Sequence, residues 1–105
     1  MTSAPSRTAD LVSRYMVLTK GVMPQMALNR AVNWPVRNDH CFQRIVLDNV
    51  CDGPWFAHLP RPAYKSLSHD QAVHAVQLCE DIVANRINLH DLNRKSLAWR
   101  GKPVP

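Results

Sequence analysis

The stretch SHDQAVHAVQLCEDIVAN, residues 68–85, decides the fold. Ser68 followed three residues later by Gln71 is typical of a capping box, in which the two side chains satisfy free backbone N–H groups at a helix start. Apolar residues then recur every three or four positions and predict one buried face. These residues are Ala72, Val73, Val76, Cys79, Ile82 and Val83. The stretch therefore predicts a long amphipathic helix whose acidic side faces solvent.

Two further helices are predicted on either side of this one. Residues 39–51 follow Asn38, a good N-cap, and begin with Asp39, which suits the positive end of the helix dipole. Their apolar side comprises Phe42, Ile45, Val46, Asn49 and Val50, and Gly53-Pro54 should end the helix. Residues 89–99 follow the N-cap Asn88 and precede Gly101, so they predict a shorter last helix.

The N-terminal part predicts one firm helix and one short one. Apolar residues at helical spacing indicate a helix over residues 6–20, and Gly21 suggests a left-handed stop. Pro24 can open a short helix over residues 24–32, because proline is tolerated at a first helical position. Trp34-Pro35 then predicts a loop.

Residues 52–67 hold three prolines, at positions 54, 60 and 62, which exclude a regular helix. Four large apolar side chains in the same segment favour an ordered loop packed on the core, with a helical turn at residues 55–59. The predicted fold is all-α: a small bundle of three main helices plus one or two short ones, in a single domain of residues 1–105. Residues 1–5 and 102–105 are expected to be flexible tails.

Composition limits the class of protein more than its function. The 105 residues suffice for one domain, and 13 Lys and Arg against 8 Asp and Glu give a net charge of +5. Such a charge attracts anionic partners without selecting one. No apolar run approaches the roughly 18 residues of a membrane span, and no signal peptide is visible, so we expect no membrane partner and a cytoplasmic location.

The sequence indicates no catalytic centre, metal site or cofactor. Its three cysteines, Cys41, Cys51 and Cys79, form no C-x-x-C pair, so we expect free thiols and neither disulfides nor structural zinc. The common phosphate-loop, metalloprotease and hydrolase motifs are absent from the sequence. A thiol–imidazole pair at His40-Cys41 is disfavoured, because neighbours on a helix point about 100° apart.

Two basic segments remain as candidate sites. Arg37, Cys41, Arg44 and Asp48 share one helical stripe, with His40 beside it. This stripe predicts either a solvated face with an Arg44–Asp48 ion pair, or an anion site near a helix N-terminus. The second segment, residues 93–102, has four cations around Trp99, and Trp34 is flanked by arginines in the same way. Packing and the helix dipole explain this pattern, as does phosphate contact with base stacking.

Three short strings carry a resemblance: RNDHCFQRI at residues 37–45, RPAYK at 61–65 and SLAWRGK at 96–102. Over residues 30–102 the chain resembles short bacterial proteins of unknown function, some of them labelled GCN5-related acetyltransferase. The chain lacks the Q/R-x-x-G-x-G/A pyrophosphate loop of acetyltransferases. The resemblance therefore implies a bacterial origin and no particular chemistry.

The leading hypothesis is a non-enzymatic binding or regulatory module whose basic, Trp-containing face meets an anionic macromolecule, either nucleic acid or an acidic protein surface. The candidate residues are Arg30, Trp34, Arg37, His40, Arg44, Lys65, Arg94, Trp99, Arg100 and Lys102. A competing hypothesis is a small enzyme or accessory subunit with a site at His40, Cys41 and Arg44 beside Trp34 or Trp55. A third is a protein–protein adaptor that uses exposed Trp and Met side chains.

Overall fold

The computed structural model describes residues 6–29 and 32–104, and these residues form helices and loops with no strand. The α-helices are α1 (Ser6–Val17), α2 (Met23–Ala27), α3 (Asp39–Cys51), α4 (His69–Val83) and α5 (Leu89–Trp99). The all-α prediction is confirmed. No helix within the described residues combines the length and apolarity needed to cross a bilayer.

Helix α3 occupies the centre of the bundle. It packs against α4, α5 and the segment that joins α1 to α2, while α1 packs along α4. Phe42, Ile45 and Val46 on α3 are fully buried, and so is Asp48. A helix with buried residues on most of its circumference is a central helix rather than a surface one.

The three predicted N-caps are present. In the capping box of α4 the Ser68 hydroxyl accepts a hydrogen bond from the Gln71 backbone at 3.1 Å, and the Gln71 side chain accepts from the Ser68 backbone at 2.8 Å. Asn38 caps α3 and Asn88 caps α5. These caps fix where the helices begin, and α3 and α5 have the predicted bounds.

The buried side of α4 is displaced from the predicted one. Val73 is 44% exposed and Val83 only half-buried, whereas Ala75 and Leu78 lie in the core. Because α4 contacts both α1 and α3, its buried surface extends around the helix toward two neighbours. The buried residues of α4 are Ala72, Ala75, Val76, Leu78, Cys79 and Ile82.

The predicted stop at Gly21 is wrong, because the chain continues from α1 into α2 through a π-helical turn, Leu18–Val22. Gly21 has no left-handed backbone; the only described glycine that has one is Gly101. The wide turn ends two residues before Pro24, whose ring would clash with the carbonyl of Lys20 in a regular α-helix. The short helix predicted over residues 24–32 ends earlier, at Ala27, and residues 30 and 31 lie outside the described ranges.

We predict that Gly21→Ala stabilises the protein. A Cβ atom at this position meets nothing within 4 Å, so alanine removes unfolded-chain entropy without a steric cost. The free energy of unfolding in urea should rise by about 0.5–1 kcal/mol. Gly101→Ala is the matched comparison and should lower it, since Gly101 has a φ of +68°. Destabilisation by Gly21→Ala would show that the π turn depends on glycine.

Residues 52–67 form an ordered loop over the core, as predicted. The loop contains two 3₁₀ turns, Trp55–Ala57 and Ala63–Lys65, of which only the first was expected. Leu59, Ala63 and Leu67 anchor it because all three are buried. Of the predicted tails, residues 1–5 and 105 lie outside the described ranges, and residues 102–104 are exposed.

Candidate anion-binding site

A buried carboxylate lies at the base of the candidate site. Asp48 is completely buried and accepts four hydrogen bonds. Arg100 donates two of them, from Nε at 2.7 Å and from Nη2 at 3.0 Å. The Ser96 hydroxyl donates at 2.7 Å and the Trp55 backbone at 2.9 Å. The predicted Arg44–Asp48 ion pair on a solvated face is therefore wrong, because Asp48 faces inward and pairs with Arg100.

Arg44 is held beside this carboxylate by neutral groups alone. Its Nη1 donates to the Ser96 hydroxyl at 2.7 Å and its Nη2 to Asn93 Oδ1 at 2.9 Å. A guanidinium has five N–H donors, so three remain without a partner among the described residues. Since Asp48 is balanced by Arg100, the charge of Arg44 has no carboxylate partner of its own in the described part of the chain.

Arg44 lines a cavity of about 610 Å³, which lies within the size range of small-molecule sites. The cavity is partly open to solvent and is bordered by the first helix, by α3, by the 52–67 loop and by the end of α5. Its lining residues are Tyr15, Met16, Lys20, Asp39, His40, Cys41, Gln43, Arg44, Leu47, Trp55, Arg61, Pro62, Ala63, Tyr64 and Arg100. We refer to it as the basic cavity.

The charges around the basic cavity do not balance. Lys20 and Arg61 line it together with Arg44 and Arg100, and neither Lys20 nor Arg61 forms an ion pair within the described residues. The only carboxylate in the lining is Asp39. Asp48 lies beneath the cavity and is counted with Asp39, while His40 is counted as neutral. The four cations then exceed the two carboxylates by two positive charges. Low-dielectric walls strengthen the field of such an excess inside a cleft.

Aromatic rings form part of the wall. The Arg61 guanidinium lies over the Trp55 ring at 5.1 Å from its centroid, a cation–π contact. Tyr64 also lines the cavity and is 38% exposed, so its ring is accessible. Cationic and aromatic side chains therefore border one concave surface.

Several sequence-predicted residues lie elsewhere. Trp34 packs edge-to-face on Phe42, with centroids 5.6 Å apart, and contributes to the edge of the core. Arg94 forms an ion pair with Asp91. Trp99 is half-buried, and Lys65 and Lys102 are exposed, but none of these three lines the cavity. Arg30 lies outside the described residues.

The structure does bring other predicted residues together. Arg44, Arg100 and His40 share the basic cavity, although the imidazole of His40 is 90% exposed at its rim. Arg37 is exposed in an adjoining shallow depression that shares Lys20 and Asp39 with the cavity. Three members of the α3 stripe, Arg37, Cys41 and Arg44, therefore border one basic region, whereas Asp48 faces inward.

Sequence reasoning missed Lys20, Arg61 and Tyr64 as site residues. Lys20 was predicted only as the last residue of the first helix, and it lies instead within the π turn. π turns inside helices occur frequently at functional sites, but no local sequence signal identified this one. Arg61 and Tyr64 lie in the proline-containing loop, whose path over α3 depends on long-range packing.

The three cysteines do not share one site in the described part of the chain. Cys79 is buried in the core, where burial raises the pKa of its thiol to about 12. Burial and then the neighbouring Asp48 and Asp52 raise the pKa of the Cys51 thiol. Cys41 lines the basic cavity but makes no hydrogen bond to a described imidazole. No three His, Cys, Asp or Glu side chains in the described ranges are grouped as metal ligands.

A second cavity, of about 560 Å³, lies between the turn before α5 and residues 32–34. The only Lys or Arg in its described lining is Arg86, which donates to Asp81 at 2.8 Å. That hydrogen bond lowers the pKa of the Asp81 carboxyl, so both groups stay charged and their charges cancel. This cavity lacks the unbalanced charge of the basic one.

Comparison with protein-family models, with curated proteins and with solved structures finds no significant match to this chain.

Proposed function

We propose that this chain is a non-enzymatic binding module that holds an anionic partner in the basic cavity. The observation that carries the proposal is Arg44, a guanidinium fixed by Ser96 and Asn93 with three N–H donors left and no described carboxylate partner. A pre-oriented guanidinium recognises carboxylate or phosphate through paired hydrogen bonds. Lys20 and Arg61 add charge at the same cavity.

The cavity has no proton-transfer pair among its described residues, and this favours binding over catalysis. An activated nucleophile needs a base within hydrogen-bond reach, and Cys41 has none among the described residues. The competing hypothesis of an enzyme placed its site at His40, Cys41 and Arg44 beside Trp55, and these residues do line one cavity. They supply positive charge and shape, which suit recognition, without a proton-transfer pair.

The proposal narrows the sequence hypothesis from a broad basic face to one concave site. Nucleic acid is the favoured partner, since accessible aromatic groups accompany the cations, as in proteins that bind single strands. A cytoplasmic location is part of the same proposal. The three free cysteines support it, because unpaired thiols are typical of a reducing compartment.

We predict that the double substitution Lys20→Gln with Arg61→Gln weakens binding of a fluorescein-labelled single-stranded oligonucleotide by at least about tenfold, roughly 1.4 kcal/mol. Each lost phosphate contact also reduces the counterions released on binding, so the dependence of affinity on salt should flatten. Fluorescence anisotropy at several salt concentrations measures both effects.

The matched control is Lys95→Gln with Lys102→Gln, which removes the same charge from exposed positions outside the cavity. The control should lose little affinity. Equal losses of affinity in the two double variants would show that the oligonucleotide binds a diffuse basic surface and not the cavity. An unchanged affinity in the cavity variant would refute the proposal.

A further inference from the structure

We infer that the ligand group recognised in the basic cavity is a nucleoside phosphate, carried either by a free nucleotide or by the end of a nucleic acid strand. The inference rests on the proposed function and specifies its substrate class. Three parts of the cavity carry it: a cationic floor, an aromatic wall and a pair of hydrogen-bond acceptors.

The floor suits a phosphate monoester better than a lone carboxylate. The excess of two positive charges around Lys20, Arg44 and Arg61 matches a group that carries about −1.5 to −2 charge at neutral pH. The three remaining N–H donors of Arg44 match an acceptor with several terminal oxygens. A carboxylate would neutralise only one charge and use fewer of these donors.

The wall offers a surface for a planar ring. Tyr64 is 38% exposed and forms no aromatic pair within the described residues, so one face of its ring can receive a base. Trp55 already carries Arg61 on its ring. The volume of about 610 Å³ exceeds what a bare phosphate needs, which leaves room for a ring beside the anion.

The acceptors distinguish a nucleobase from a simple phenyl ring. Gln43 donates its Nε2 to Thr19 at 3.3 Å, which leaves Oε1 without a partner in the described part of the chain. Asp39 Oδ1 accepts a hydrogen bond from the His40 backbone N–H at 2.9 Å, which leaves Oδ2 without a partner among the described residues. Both residues line the cavity. Such oxygens accept hydrogen bonds from the exocyclic amino groups of adenine and cytosine, and a phenyl ring has no donor to offer them.

Isothermal titration calorimetry with AMP, adenosine, ribose 5-phosphate and inorganic phosphate tests the inference. AMP should bind at least tenfold more tightly than adenosine, which lacks the charge. It should also bind about five- to a hundredfold more tightly than ribose 5-phosphate, which lacks the ring, since stacking contributes about 1–3 kcal/mol per base. Equal affinities for AMP and ribose 5-phosphate would overturn the inference.

The two sources of the nucleotide are separated by oligonucleotides of identical sequence with a 5′-phosphate or a 5′-hydroxyl. Tighter binding of the 5′-phosphorylated strand than of AMP assigns the cavity to strand ends. The reverse order assigns it to free nucleotides. If the affinity for the oligonucleotide does not depend on the 5′-phosphate and AMP binding is undetectable, both forms of the inference are contradicted.

Alkylation of the cysteines locates the ligand independently. Cys41 lines the cavity and Cys51 does not, although both are half-buried. AMP should slow the reaction of Cys41 with iodoacetamide in a peptide-mapped time course and leave the reaction of Cys51 unchanged. Protection of neither thiol, or of both equally, contradicts binding in the cavity.

Tyr64→Ala separates this inference from the proposed function. The variant should lose affinity for AMP and keep its affinity for ribose 5-phosphate, while Tyr64→Phe, which keeps the ring in the lining, should change neither. If Lys20→Gln with Arg61→Gln abolishes oligonucleotide binding but Tyr64→Ala leaves the preference for AMP unchanged, the proposed function stands and the inference fails. If no phosphate-bearing probe binds, both fail.

Discussion

Asp48→Ala is expected to lower the free energy of unfolding by about 3–5 kcal/mol, a large part of the total stability of a small domain. The substitution removes a carboxylate that accepts four hydrogen bonds. The donors that lose this acceptor are the Arg100 guanidinium, the Ser96 hydroxyl and the Trp55 amide. An unpaired charge near the interior costs far more than the pair itself contributes. Urea unfolding followed by circular dichroism measures the change.

A second variant separates the lost pair from the cavity left by the smaller side chain. Asp48→Ala combined with Arg100→Met removes the charge that would be left unpaired, so it should recover part of the lost stability. Asp91→Ala, which breaks an exposed pair with Arg94, should cost little. An Asp48→Ala variant within about 1 kcal/mol of the parent protein would mean that the buried network contributes little to holding α5 on α3.

The helix starts were predictable because the chemistry of an N-cap is local. Asn38, Ser68 and Asn88 each bond to backbone groups two or three residues away, so the identity of the cap and its neighbours determines the result. The end of α5 is local in the same sense. Gly101 takes the left-handed position, and Lys102 donates back to the carbonyl of Leu97 at 2.9 Å.

The path of the N-terminal helix was not predictable in this way. Glycine is a residue that commonly ends a helix, but the helix continues through Gly21. Thr19 is buried there, and its hydroxyl donates to the Tyr15 carbonyl and accepts from Gln43 across the bundle. Burial of Leu18 and Met23 on both sides of the glycine keeps the backbone helical. Tertiary packing outweighs the roughly 1 kcal/mol preference of a helix for alanine over glycine.

The candidate site was predictable in part. The α3 stripe placed Cys41 and Arg44 together with His40 beside them, and these three residues line the basic cavity, because spacing along a helix determines which side chains are neighbours. Arg37 lies in the adjoining depression. The partner of Asp48 was misassigned, since the spacing rule favoured Arg44 four residues away while the observed partner, Arg100, is 52 residues distant.

Val76→Asp is expected to unfold the domain or to lower its melting temperature severely. Val76 is 8% exposed on the side of α4 that faces the core. An aspartate there has no compensating charge, and burying an isolated carboxylate costs several kcal/mol, which is comparable with a total stability of about 5–15 kcal/mol. Thermal denaturation followed by circular dichroism at 222 nm measures the effect at neutral pH.

Val73→Asp is the matched control for this prediction. Val73 lies on the same helix three residues earlier, and it is 44% exposed. The two variants have the same composition, charge and loss of helix propensity, so a difference between them isolates the burial of the carboxylate. If both melt alike, either α4 does not pack as described or the bundle tolerates a charge in its core. A large loss in Val76→Asp with a small one in Val73→Asp would confirm which side of the helix is buried, since the sequence pattern was correct for Val76 and wrong for Val73.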